Sequence, residues 1–148
     1  MPGYANQLTI LVDSREQRPW TWTEPGIATR RTALPVGDYS LQGLSDRVAI
    51  ERKSLDDLVS TLIHHAKRWH AELRRLAAMQ AACVIVEAGL PDLLAGRYSG
   101  GVHPHAALGR VLSVHVDFGV PVVFAGDRPH ARLWATGWLI RTARRLSA

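Results

Sequence analysis

The chain has 148 residues, 47% of them hydrophobic, with 18 Lys and Arg against 13 Asp and Glu and a single cysteine. That length and apolar content suit one domain with a full core, and we expect a single domain over residues 1–148; the net charge of +5 favours an anionic partner such as nucleic acid. A lone Cys83 excludes an internal disulfide and a cysteine-based zinc site. No apolar stretch reaches membrane-spanning length and no signal-like segment opens the chain, so a cytoplasmic protein of bacterial or phage origin is expected.

In chain order, "LTILVD" (8–13) reads as a buried strand with Asp13 at its C-terminal edge. "SREQRPWTWTEPG" is a loop, broken by Pro19, Pro25 and Gly26. Trp20 and Trp22 alternate within it; they either stack on unpaired bases or pack the loop against the body. "TRRTALPVGDYSLQG" gives short extended pieces around a Pro35–Gly37 turn, so the opening region looks hairpin-like. "DRVAIERK" is a strand with Val48 and Ile50 on one face and Ala49, Glu51 and Lys53 on the other.

Ser54 is a good N-cap with Asp57 at the third helical position, and Leu55, Leu58, Val59 and Leu62 follow at helical spacing. A second helix spans about Ala66 to Met79, with Trp69, Leu73 and Leu76 on one face. "ACVIVEAG" is a strand too apolar to be half exposed, which buries Cys83. A short turn or helix and a Gly-rich loop lead to the helix "ALGRVLSVHVDF", the strand "VPVVFAG" and the closing helix "HARLWATGWLIRTARRL". The closing helix has apolar residues around much of its girth, including Leu133, Trp134, Trp138 and Leu139, so it is either sandwiched in the core or shared with a second subunit. Strands alternating with helices indicate an α/β sandwich around a mixed sheet.

The charged residues carry the chemistry. Glu51 and Lys53 share a strand face while Arg52 points to the other side. If neighbouring strands bring Asp38 to Glu51 at the sheet edge, two carboxylates repel and one becomes hard to ionise. A divalent cation removes that penalty, and oxygen ligands suit Mg²⁺ or Mn²⁺. Lys53 is then placed to hold an attacking water or to stabilise charge on phosphorus. The plainer alternatives are a turn residue at Asp38, a solvent-facing ion pair at Glu51 and Lys53, and a carboxylate at a helix N-terminus at Asp57. Of the basic residues near the site, Arg15 is the first choice for phosphate contact; Arg52 either joins it or braces the site. In "HHAKRWH", Lys67 and Arg68 give a positive face for DNA.

Taken together, "VDSREQRPW", "VGDY" and "ERKSLDDL" resemble the nuclease domain of the XPF-like family of structure-specific endonucleases. The family pattern is an Asp and an Arg-Glu pair after the first strand, a Gly-Asp, Glu-Arg-Lys, and an Asp four residues past the Lys. Here those are Asp13, Arg15 and Glu16, Gly37 and Asp38, Glu51 to Lys53, and Asp57. Arg68, Trp69 and Glu72 are the nearest match to a helix that lies near DNA in the family. The resemblance is strong from Leu11 to about Leu76; over 82–140 only the order of elements matches.

It implies a restriction-endonuclease-like fold, a central mixed β-sheet flanked by α-helices. It also implies dependence on Mg²⁺ or Mn²⁺, a homodimeric nuclease module, and cleavage of duplex DNA near branches, flaps or forks during repair or recombination. The implied catalytic set is Asp13, Glu16, Asp38, Glu51, Lys53 and Asp57, with the metal on Asp13, Asp38 and Glu51. Family members usually continue into helix-hairpin-helix motifs and many carry a helicase region; this sequence ends at Ala148 without either, so a protein partner supplying substrate specificity, or else a broad substrate range, is expected. The rival readings are a non-catalytic DNA-binding module that partners a nuclease and a restriction-type endonuclease.

Overall fold

A computed structural model describes residues 7–147; residues 1–6 and 148, the two ends of the expected domain, lie outside the described residues. The elements are β1 (Leu8–Asp13), β2 (Ile27–Thr32), β3 (Tyr39–Leu41), β4 (Val48–Lys53), α1 (Leu55–His64), α2 (Ala66–Ala78), β5 (Ala81–Val86), α3 (Leu90–Leu94), α4 (Pro104–Phe118), β6 (Val122–Phe124) and α5 (Arg128–Ser147). The strands form one six-stranded sheet in the order β2-β1-β3-β4-β5-β6. Pairing is parallel for β1 with β2, β4 with β5 and β5 with β6, and antiparallel for β3 with β1 and with β4. The mixed α/β sheet expected from the sequence is therefore present.

The opening region differs from the hairpin-like reading. β1 and β2 run parallel, Leu8 beside Ile27 and Asp13 beside Thr32. A parallel pair cannot be closed by a tight turn, and the 14–26 loop makes the crossover instead. Trp20 and Trp22 hold that loop down. Both are buried, Trp20 stacks on Tyr39 with ring centroids 4.7 Å apart, and the Trp22 indole N–H donates to Thr136 Oγ1 at 2.7 Å. Of the two roles weighed for these tryptophans, the structure takes packing.

Each sheet face has its own core. Ala49, Val84 and Val86 face Leu58, Trp69 and Val111 of α1, α2 and α4. Val48, Ile50, Cys83 and Ile85 face Trp20, Trp22 and the Ala131, Ala135 and Leu139 stripe of α5. This division follows from chain handedness: β4, β5 and β6 are added stepwise in one direction, and right-handed crossovers leave α1 to α4 on a single face. The closing helix then covers the other. It buries only a narrow stripe, with Leu133 65% and Trp134 52% exposed.

Helix α1 begins as its sequence dictates: Ser54 Oγ accepts the Asp57 N–H at 3.1 Å. The described residues contain no helix long and apolar enough to cross a membrane.

Candidate active site

One end of the central strands gathers the carboxylates. The Asp13 N–H donates to the Asp38 carbonyl and the Asp38 N–H to the Ile50 carbonyl, both at 2.8 Å, so three strands are laced together there. Gly37 makes this approach possible. Its φ is +76°, and a Cβ on it would stand 2.9 Å from the Ile50 carbonyl oxygen, a conformation and a distance that suit glycine alone. The meeting point lies on the inner strands β3 and β4 rather than at an outer sheet edge. Around it is a cleft of about 270 Å³ lined by Asp13, Arg15, Gly37, Asp38, Glu51, Glu72 and Arg75, among others.

Within the cleft, charge is unevenly compensated. Asp13 is buried, yet its carboxylate accepts the Leu34 N–H at 2.9 Å and Arg15 Nε at 3.0 Å. Burial opposes its ionisation, but these donors outweigh it and hold its carboxyl below the usual range. Asp38 accepts the Arg52 N–H at 2.7 Å; burial still dominates and lifts it to about 6, aided by the charge of Glu16. Glu51 is pushed well above the usual range, first by burial and then by the neighbouring charges of Asp38 and Glu72. Its Oε2 is fully buried and meets no donor group, and the neighbouring Glu72 carboxyl can bond it only through a shared proton.

Lys53 sits beside it, with Nζ 3.8 Å from Glu51 Oε1, 3.3 Å from Thr61 Oγ1 and 5.2 Å from the centroid of the Trp69 ring. The strand pleat therefore puts Glu51 and Lys53 together, as read from the sequence, but in a buried setting and not as a solvent-facing pair.

The remaining acidic residues are placed elsewhere. Glu16 lies across the sheet from Glu51, gripped by Arg52 through Nε at 2.8 Å and Nη2 at 2.7 Å. The same guanidinium reaches Glu87 Oε1 at 2.7 Å, and Glu87 Oε2 accepts Arg128 Nη1 at 2.9 Å and the Trp20 indole N–H at 3.0 Å. Arg52 is thus committed to carboxylates on the α5 side. Asp57 is exposed in the first turn of α1 and does not line the cleft. Asp56 accepts the Ser99 N–H at 2.7 Å and ties the Gly-rich loop to α1. Lys67 and Arg68 are exposed at the start of α2, beside His64 and His65. Arg15 lines the cleft directly.

Three residues were not singled out from the sequence. Arg75 lines the cleft, at i+7 from Arg68 and i+3 from Glu72, a spacing the helix pattern contains. Glu87 and Arg128 complete the Arg52 network. A carboxylate directly after the apolar run "CVIV" was the available sign for Glu87; no local pattern marks Arg128.

Among the described residues, no three acidic or histidine side chains already converge on one point to hold an ion. The donor chemistry nevertheless fits a hard divalent cation. Asp38 and Glu51 are adjacent, electrostatically strained oxygen donors, one with an orphaned oxygen, and Mg²⁺ commonly binds through one or two carboxylates with water and phosphate completing its shell.

A mixed sheet with helices on both faces and an acidic cleft across its inner strands defines a restriction-endonuclease-like α/β domain. The ERCC4 domain pattern matches residues 12–136, and the chain belongs to that family, a family of endonucleases. It is 33% identical over 117 residues to a Methanocaldococcus jannaschii protein described as an ATP-dependent RNA helicase, covering 79% of this chain and 13% of that protein. Among solved structures it resembles XPF from Aeropyrum pernix, with a TM-score of 0.66 and 26% identity over 94% of this chain and 67% of that one. A second Aeropyrum pernix XPF structure, in complex with DNA, matches with a TM-score of 0.67 and 23% identity over 94% of this chain and 66% of that one, a likeness of fold.

Proposed function

We propose that this chain is a Mg²⁺- or Mn²⁺-dependent endodeoxyribonuclease, one nuclease domain that hydrolyses phosphodiester bonds in branched, flap or fork-like duplex DNA during repair or recombination. The observation that carries the reading is the fully buried Oε2 of Glu51, which meets no donor group and whose carboxyl is flanked by those of Asp38 and Glu72. Leaving such an oxygen bare is costly unless a ligand completes it. The likeness to an XPF captured on DNA supports a DNA substrate.

Asp38 and Glu51 would hold the ion. Asp13 would join them, its carboxylate freed as Arg15 turned to a DNA phosphate. A bound divalent ion acidifies water and offsets charge on phosphoryl oxygens. Lys53, oriented by Thr61 and the Trp69 face, donates to the attacking water or to a non-bridging phosphate oxygen. Glu16 acts through Arg52 as a positioning residue, and Lys67 and Arg68 meet the DNA backbone. Asp57 serves the start of α1.

The module pairs with a second copy through the groove of about 690 Å³ between α5 and β6, where Leu133, Trp134 and Trp138 stand beside the outer strand. Purified protein with Mg²⁺ or Mn²⁺ is expected to nick or cut labelled flap, fork or linear duplex DNA. Glu51→Gln should lower the rate at least 100-fold with an unchanged circular dichroism spectrum. Equal rates in the two proteins would reject this site. DNA binding without cleavage on every substrate would favour the non-catalytic module, and a defined cut sequence would favour a restriction-type enzyme.

A further inference from the structure

The cleft holds two guanidinium groups, and they are committed very differently. Arg15 is fastened by Asp13 and by the Leu34 carbonyl, which accepts its Nη2 at 3.1 Å. Arg75 lines the same cleft, exposed, yet its guanidinium makes no hydrogen bond or ion pair among the described residues, although Glu72 lies one turn before it. Its neighbour Arg74 is also exposed but does not line the cleft. An exposed cation beside carboxylates that forgoes pairing with them keeps all its donors for an arriving anion.

Helical geometry adds a second constraint. Arg68 and Arg75 are seven residues apart, so they share a face of α2 and lie about 10 Å apart along its axis. Phosphates in one strand of a duplex advance about 3.4 Å per step along the axis. Phosphates of one strand also wind around that axis, so two guanidinium groups two helical turns apart meet two different phosphates of a strand lying alongside.

Resting on the nuclease reading above, we infer that Arg75 is a DNA-phosphate ligand of the cleft. It takes the backbone phosphate of the strand entering from the α2 side, and Arg68 takes a second phosphate of the same strand. Helix α2 thereby becomes a rail that sets which phosphate reaches the carboxylates.

The experiment measures binding, so turnover does not enter. In the Glu51→Gln protein, with EDTA present so that Na⁺ is the only added cation, affinity for a labelled fork DNA is measured between 50 and 200 mM salt. Loss of one phosphate contact flattens the log K against log salt slope by about 0.9. Arg75→Ala should show that change, so its affinity deficit shrinks about 3- to 4-fold across the range. Arg75→Lys should keep the parent slope, and Arg74→Ala should match the parent throughout. If Arg75→Ala melts differently from the parent, Arg75→Gln carries the same test.

A parent-like slope in a well-folded Arg75→Ala or Arg75→Gln protein overturns the assignment, as does an equal flattening by Arg74→Ala. Cleavage by the unmodified chain is scored in parallel. Cleavage with an unflattened slope removes the Arg75 assignment alone; a flattened slope without cleavage under Mg²⁺ or Mn²⁺ removes the nuclease reading and leaves Arg75 as a DNA ligand.

Discussion

Asp38 is held ionisable in a place that disfavours its charge, and the sign of that effect is measurable. Its folded pKa of about 6 stands above the ordinary 3.8. The stability it lends is therefore full below about pH 4 and is lost as pH rises through about 6. Asp38→Asn keeps an acceptor for the Arg52 N–H and removes the charge. In metal-free buffer it should be more stable than the parent at pH 8, by about 1–3 kcal/mol, and equally stable near pH 4, as read from paired melts. Added Mg²⁺ should raise the melting temperature of the parent and not of the variant. A variant that melts no higher at pH 8 would contradict the unpaired-charge account.

The Asp38 and Glu51 pair was legible because a glycine turn and strand alternation set both directions. Glu16 was not. Its spacing from Asp13 groups it with the acids, but its position is decided by Arg52, which holds it on the opposite face of the sheet from Glu51.

At the scale of elements, the turn into β3 is the most demanding stretch. Gly37 and Gly43 both have positive φ, but only Gly37 is crowded by backbone. Gly37→Ala should cost more than Gly43→Ala, whose penalty is the φ strain of about 1 kcal/mol alone. Paired thermal melts give the difference, and Gly37→Ala should also lose cleavage because Asp38 shifts from the Arg52 N–H. Equal destabilisation at the two glycines would show that the close approach carries no weight.

Strand and helix positions were readable from periodicity: β1 spans the whole of "LTILVD", and α1 starts behind Ser54. Partnering was not readable. Alternation says which residues share a face, and nothing in "IATRRT" states that it runs parallel to β1. That outcome depends on Trp20 and Trp22, which pin the intervening loop to a helix more than a hundred residues away.

Across the whole molecule, Glu87 joins the 14–26 loop, β4 and α5. It binds Arg52 and Arg128, and Arg128 in turn donates to the Arg18 and Pro19 carbonyls at 2.8 and 2.9 Å. Glu87→Ala leaves Arg52 partly unmatched in a buried setting and should cost about 3–5 kcal/mol. Denaturant titration against Glu87→Gln, which keeps acceptor geometry, separates charge from shape. The network was invisible in the sequence because its members are scattered from position 16 to position 128.

The exposed α5 surface has a simpler test. On the proposed pairing, the parent should sediment as a dimer and Trp134→Glu as a monomer, without a lower melting temperature of dilute protein. A dimer that survives the change would assign another surface to self-association.

The one thiol of the chain lies in the middle strand layer, 1% exposed, and burial pushes its pKa up to about 12. Alkylating reagents can reach Cys83 only when the sheet parts, so the rate of its labelling reads out opening of the whole fold without any engineered probe. Occupancy of the acidic cleft would slow that chemical clock in proportion to the stability gained, giving a ligand assay in which no DNA is cut and no dye is attached.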